Sequence, residues 1–288
     1  MLLPQRYVDL HTHSSASDGT DTPEMLVKKA AELGLSALAI TDHDTVSGID
    51  DAMAAGVKYG VDVLGGCEIA VKSDFGELHL LGYMAAPDNQ TLLRILATQR
   101  ERRLMRNLEI IERLNRIGFG ISYNEVLNFA RGHVCGRPHI ACALVAAGAV
   151  TSISDAFARY LGEGGRVYVP RVLDSPREGI EKLLSAGTLP VFAHPFLSRK
   201  IDRKGLGKLL SIFKEFGLAG VEAFHSKHSP EHTGQVIELA GKYELCVSGG
   251  SDYHGTNKPD VFLGYARDCR KMEYSLLENL RQAYHDRQ

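Results

Sequence analysis

This chain of 288 residues has no excess of either charge. Its 33 lysines and arginines stand against 35 aspartates and glutamates, a net charge of −2. That excludes a bulk electrostatic grip on nucleic acid and leaves room only for a local basic patch. Long apolar runs are also missing. Nothing approaches the roughly 18 residues of a membrane span, and the first ten residues carry no signal-peptide core. The expectation is a cytoplasmic protein that meets no membrane. Cysteine is scarce: Cys67, Cys135, Cys142, Cys246 and Cys269 are odd in number and form no C-x-x-C pair. A disulfide frame and a cysteine zinc cluster are thereby set aside in favour of reduced thiols. Repeats and low-complexity stretches are absent too. What is present, 44% hydrophobic and 24% charged residues, is ordinary for a globular protein with a sizeable core.

The chain reads as strands alternating with helices. Val8-Asp9-Leu10 is a short strand running into a loop of turn formers that ends near Gly19. Thr22-Pro23 caps a helix that stops at Gly34, and Leu35–Ile40 is a buried strand. A helix from Ser47 to about Gly60 precedes a third strand, Val61–Leu64, ending near Glu68, and Leu78–Gly82 is a further extended piece. From about Asn89 the pattern becomes helical. Leu92, Leu93, Leu96, Leu104, Leu108, Ile111 and Leu114 form a long stripe, and further helices start at Ser122, Pro138 and Ser154. Alternation resumes after Pro170, with strands at 189–193, 220–224 and 245–248 and an amphipathic tail from about Glu273. The expected organisation is a parallel α/β sheet or barrel from residues 1–89 and 171–288, with residues 90–170 as a helical insertion or subdomain. The run Arg100-Glu101-Arg102-Arg103 reads as a solvated helix face.

Histidine is where the chain is rich: there are twelve, most of them at expected strand ends or just beyond. Residues two apart on a strand share a face, so His11 and His13 can hold one ion together. With Asp18, His43, Glu68, His79, His194, Asp252 and His254 they make nine candidate ligands, more than one tetrahedral site can use. Two or three divalent ions are implied, and imidazole with carboxylate suits Mn, Zn or Fe alike. Asp42 and Asp44 flank His43 and are expected to orient it by hydrogen bonding. Ser14, Ser15 and Ser17 are turn residues with no base placed to activate them.

H-T-H with S-D-G, then T-D-H-D, the lone Glu68, H-P at His194 and G-S-D-Y-H-G resemble the polymerase and histidinol phosphatase (PHP) family. The motifs run in family order from residue 11 to residue 255. The resemblance implies a distorted (β/α)7 barrel and a metal-dependent phosphohydrolase acting by attack of a metal-bound hydroxide. It implies one metal on His11, His13, Glu68 and Asp252, a second on Glu68, His79 and His194, and a third on Asp18, His43 and His254. Asp18, His254 and His225 are the expected catalytic residues, His225 donating to a phosphate oxygen or leaving group, or else only supporting a ligand by hydrogen bonding. Arg137, at a helix start beside Pro138, and His139 would seat a substrate phosphate, or simply cap and anchor the insertion. Arg199 and Lys200 would meet the same anion, or stand in a solvated loop. The barrel with its Gly136-Arg137-Pro138-His139 insertion is most similar to the small stand-alone phosphoesterases of nucleotides such as nucleoside 3′,5′-bisphosphates. Alternatives are a 5′→3′ exonuclease on short RNA or DNA oligonucleotides, a histidinol phosphatase, and a non-catalytic module.

Overall fold

The computed structural model describes residues 5–130, 134–198 and 200–288. Its first half contains β1 (Tyr7–Asp9), α1 (Pro23–Glu32), β2 (Leu35–Ile40), α2 (Ile49–Tyr59), β3 (Asp62–Ser73) and β4 (Gly76–Tyr83). Helices α3 (Gln90–Arg116), α4 (Tyr123–Leu127), α5 (Arg137–Ala146) and α6 (Ile153–Ala156) follow, with a π-helical turn at Phe157–Leu161. The second half runs α7 (Pro176–Ser185), β5 (Leu189–Phe192), α8 (Arg203–Glu215), β6 (Gly220–His225), α9 (Pro230–Lys242) and β7 (Cys246–Gly250). It closes with β8 (Tyr265–Ala266), β9 (Arg270–Glu273) and α10 (Ser275–His285). Among the described residues no helix is long and apolar enough to cross a membrane.

Strands β1 to β7 are neighbours in chain order. The ring closes where the chain just past β1 meets β7 and its exit. Leu10 N donates to Gly249 O at 3.1 Å, Asp252 N to His11 O at 2.9 Å, and His13 N to Tyr253 O at 2.9 Å. A seven-stranded α/β barrel is therefore present, as expected. Its distortion is specific. Strand β4 is antiparallel to both β3 and β5, whereas the other pairs around the ring are parallel. Sequence reading ends the third strand near Glu68. In the structure β3 continues to Ser73, turns, and returns as β4, with Glu68 opposite Leu81 and Ala70 opposite His79. Glu68 thus sits in mid-strand, and His79 rides a strand of opposite direction. The apolar run Ile69-Ala70-Val71, fully buried here, is what carries β3 onward. The short hairpin β8–β9 escapes sequence reading because two and four residues leave no legible period.

Local chemistry explains the helix starts. Thr22 accepts from Met25 N with Pro23 behind it, and Ser122 and Ser175 each form a reciprocal capping box with the glutamate three residues on. The helix expected from Ser154 begins earlier, because Ser152 supplies the cap by accepting from Asp155 N. Leu92 and Leu96, early in α3, pack in one apolar cluster with Leu80 of β4 and with Ile180 and Leu183 of α7. Ile110, Ile111 and Leu114, further along, join Val126, Ile140, Leu144, Leu161 and Val167 in a separate cluster. One long helix is thus rooted in the barrel and carries a second core at its far end.

Candidate metal centre

The nine candidate ligands converge at one mouth of the barrel around Glu68, which is 1% exposed. Its Oε1 lies 2.8 Å from His79 Nδ1 and 3.0 Å from His194 Nε2. Its Oε2 faces the other way, 3.4 Å from His11 Nε2, 3.2 Å from His13 Nε2 and 3.1 Å from His43 Nδ1. Asp252 Oδ1 is 3.7 Å from His11 Nε2 and 3.5 Å from His13 Nε2. Asp18 completes the far side, with Oδ1 3.3 Å from His254 Nε2 and Oδ2 4.0 Å from His43 Nε2. Burial disfavours a charged carboxylate, but the imidazoles of His43, His79 and His11 overcome it and hold Glu68 well below the usual range. Burial likewise opposes charge on His79, and Glu68 outweighs it, lifting that imidazole to about 10. His43 goes the other way: burial drives it down to about 3.

Whether these residues suit a cation can be judged from their unsatisfied atoms. His11 Nε2, both ring nitrogens of His13 and His225 Nε2 are buried with no hydrogen-bond partner. Buried nitrogens left bare beside carboxylates are costly unless something binds them, and imidazole with carboxylate is a divalent-metal donor set. Ligand atoms of His13, Asp18, His43 and His254 lie within 4.8 Å of one another, as do those of His11, His13 and Asp252, and those of His11, Glu68 and His194. The residues fit. These groupings put His13 in two sets and His11 with Glu68 and His194. His79 falls in none of them, its Nδ1 tied to Glu68 and its Nε2 3.5 Å from Glu77 Oε1. Asp252 and His194 hold left-handed backbone, φ 60° and 30°, where residues with a β-carbon are rare outside constrained sites.

The remaining expected residues are spread around this cluster. His225 is buried, with Nε2 3.4 Å from Asp252 Oδ2 and Nδ1 accepting from Lys227 N. A cleft of about 580 Å³ opens beside His79 and His194, and Arg137 and Lys200 line it. Arg137 Nη1 also donates to Leu161 O. His139 is 3% exposed and accepts from Gly136 N through Nδ1, which closes the start of α5. Arg199 lies outside the described residues.

Two expectations are corrected. Asp42 does not orient His43: it accepts from Ser14 N, Ser14 Oγ and Ser17 Oγ, and so ties down the loop after β1. Asp44 does not orient His43 by hydrogen bonding either, because Arg103 and Arg171 take its carboxylate. For the same reason Arg100, Arg102 and Arg103 are no solvated face. Arg102 reaches Asp174, while Arg100 and Arg103 turn inward to Asp44. Sequence reading also passed over Glu222. It is fully buried on β6, 2.9 Å from His11 Nδ1, and accepts from His194 N at 2.8 Å. A carboxylate on the far nitrogen of a ligand-type imidazole fixes its tautomer and aim. The available signal was one acid inside an apolar strand. Lys258, paired with Asp252 at 2.5 Å, carried no such signal.

Fold and site together define an α/β barrel with a buried histidine–carboxylate cluster, fit to hold divalent metal, at its mouth. The PHP domain model matches residues 9–160, and the chain belongs to the PHP family. It is a metal-dependent phosphoesterase, a hydrolase of phosphate esters. The chain is 33% identical over 246 residues to a 5′-3′ exoribonuclease of Haemophilus influenzae, covering 85% of this chain and 89% of that protein. It is 29% identical over 262 residues to a 3′,5′-nucleoside bisphosphate phosphatase of Chromobacterium violaceum, covering 91% and 92%. Among solved structures, a Bifidobacterium adolescentis protein provisionally described as a metal-dependent phosphoesterase superposes with a TM-score of 0.86 at 34% identity, covering 97% of each chain.

Proposed function

We propose that this phosphoesterase removes a phosphate from small nucleotides, nucleoside 3′,5′-bisphosphates foremost. The observation that carries the reading is the cleft beside His79 and His194. Its volume suits a ligand of about nucleotide size, a few hundred to about 1,000 Å³ being usual for such sites. Phe75, Phe192 and Leu197 give it an apolar wall for a base, and Arg137 and Lys200 give it cationic groups for a phosphate. The similarity to the Chromobacterium violaceum phosphatase supports the same substrate class.

Glu68 and the eight residues around it are our proposed ligands for two or three divalent ions, Mn, Zn or Fe. Bound there, such ions would neutralise phosphoryl charge and acidify a water. The chain's own residues do the rest. Glu222 aims His11 and steadies the backbone at His194, and His225 and Lys258 hold Asp252 from two sides. Asp18 and His254 face each other across 3.3 Å and are assigned, with His225, to the reacting phosphoryl group. Arg137 seats a second phosphate. Residues 90–170, which supply Arg137, are proposed as a helical insertion on a barrel of residues 1–89 and 171–288, and the cytoplasm as its compartment.

A second reading, 5′→3′ cleavage of short oligonucleotides, is favoured by the similarity to the Haemophilus influenzae exoribonuclease. Hydrolysis rates with added Mn on adenosine 3′,5′-bisphosphate, AMP, histidinol phosphate and a 5′-phosphorylated oligonucleotide decide between them. The bisphosphate is expected to be turned over fastest. Stepwise release of mononucleotides at a higher kcat/KM would move the assignment to the exonuclease, and preference for histidinol phosphate would overturn both. On the bisphosphate, Arg137→Ala is expected to remove roughly 2–4 kcal/mol of transition-state stabilisation with metal content intact. An unchanged kcat/KM would leave Arg137 as an anchor of α5.

A further inference from the structure

We propose that Asp44, gripped by Arg103 and Arg171, is a positioning residue for His43, so that the helical segment sets the geometry of one side of the metal centre. This rests on the reading of His43 as a cation ligand given above. Asp44 is wholly buried. Its Oδ2 accepts from Arg103 Nε at 2.9 Å, Arg103 Nη2 at 2.6 Å and Arg171 Nη2 at 2.7 Å, while Arg100 Nη1 donates to its main-chain oxygen at 2.7 Å. Arg100 and Arg103 are one turn apart on α3 and so share a face, and Arg171 lies on the chain returning from that segment. Three guanidinium groups from outside the barrel thus close on one residue of the barrel mouth.

Asp44 has φ 55°, a left-handed conformation that is uncommon for a residue with a β-carbon although aspartate tolerates it better than most. The turn it ends is stitched to Glu68 on both sides: Asp44 N donates to Glu68 O at 3.0 Å and Glu68 N to Asp42 O at 3.1 Å. His43 sits between those two bonds. Its ring has Glu68 Oε2 at 3.1 Å and Asp18 Oδ2 at 4.0 Å, while the flanking aspartates direct their hydrogen bonds elsewhere. The ring's aim thus depends on the backbone that carries it as well as on Glu68, and the arginine grip holds that backbone alongside the two Glu68 bonds. A grip serving only to staple the helices to the barrel would not need to close on a left-handed residue directly beside a ligand.

The test uses the full chain and Mn. Arg103→Lys keeps the charge and removes the two-pronged contact; if it does not fold, Arg171→Lys replaces it. Equilibrium dialysis with elemental analysis should show the weakest-held Mn bound roughly 10–100-fold less tightly, the usual effect of losing a residue that orients a metal ligand. The Mn-induced rise in Tm should shrink in step. Excess Mn should restore kcat on the bisphosphate with KM unchanged. Mn affinity equal to wild type in a folded variant would overturn the proposal, and so would a raised KM that Mn does not correct, since Arg103 would then be touching substrate. His43→Ala separates the two levels. If it binds Mn like wild type, His43 is no ligand and the underlying reading fails. If it alone loses Mn while the arginine variants do not, only the positioning role fails.

Discussion

Glu68→Gln is expected to strip the chain of about two metal ions and of all phosphatase activity, while Asp18→Asn gives up about one ion and keeps a residual rate. The difference follows from where the two carboxylates stand. Glu68 presents Oε1 to His79 and His194 and Oε2 to His11, His13 and His43, so each oxygen serves a different set of imidazoles. A glutamine keeps the shape and loses the charge. Two cations held on either side of it would then repel with nothing between them, and both would be bound more weakly. Asp18 serves one side only, where His13, His43 and His254 gather about it, and it sits in a loop, not in the barrel wall. Metal content by elemental analysis and kcat on both variants, with circular dichroism to certify the fold, make the comparison. Chelation of the wild-type protein should reproduce the Glu68→Gln phenotype. Full metal occupancy in Glu68→Gln would remove it from the bridging position, and one ion or fewer in active wild-type protein would end the multinuclear reading.

How much of this could be read from the residues depends on the range of the interaction involved. The pairing of His11 with His13 was legible because residues two apart in extended chain share a face, here just past the end of β1, and so were the Thr22-Pro23 and Ser122 helix starts. The convergence of Asp252 and His254 on them was legible only through motif order, since the contacts span the length of the chain. Glu222 was missed because what gives it a role is His11, 211 residues away, while its own surroundings show no more than one acid in an apolar strand. The arginines of α3 were misread for a related reason. A charge run on a helix is solvated unless a partner is buried opposite, and Asp44 lies 59 residues before Arg103. The β3–β4 hairpin was hidden differently: a strand buried on both faces shows no alternation to mark its length.

Gly250→Ala is expected to be the most damaging single-methyl change in the barrel. Gly250 ends β7 where that strand passes the chain leaving β1, and a β-carbon there would stand 2.2 Å from His11 Cβ and 2.3 Å from His11 N. Neither neighbour is the free end of a flexible side chain. Relief requires β1 and β7 to separate, and that seam is closed by the bonds of Leu10 to Gly249 and of Asp252 to His11. Overpacking a sound core costs about 1–3 kcal/mol, and a clash against backbone should exceed that. The expected fall in Tm is on the order of 10 °C. Because the clashing residue is itself a proposed ligand, Mn binding should fall as well, and excess Mn should not restore it. Gly234→Ala is the matched control. It lies on α9 with nothing within 4 Å of the added carbon, and trading backbone freedom for helix propensity there should gain roughly 0.5–1 kcal/mol. Thermal melts of the two variants with and without Mn give both numbers. Equal stability in Gly250→Ala and wild type would mean that the β1–β7 seam yields to a methyl group and does not hold His11 in place.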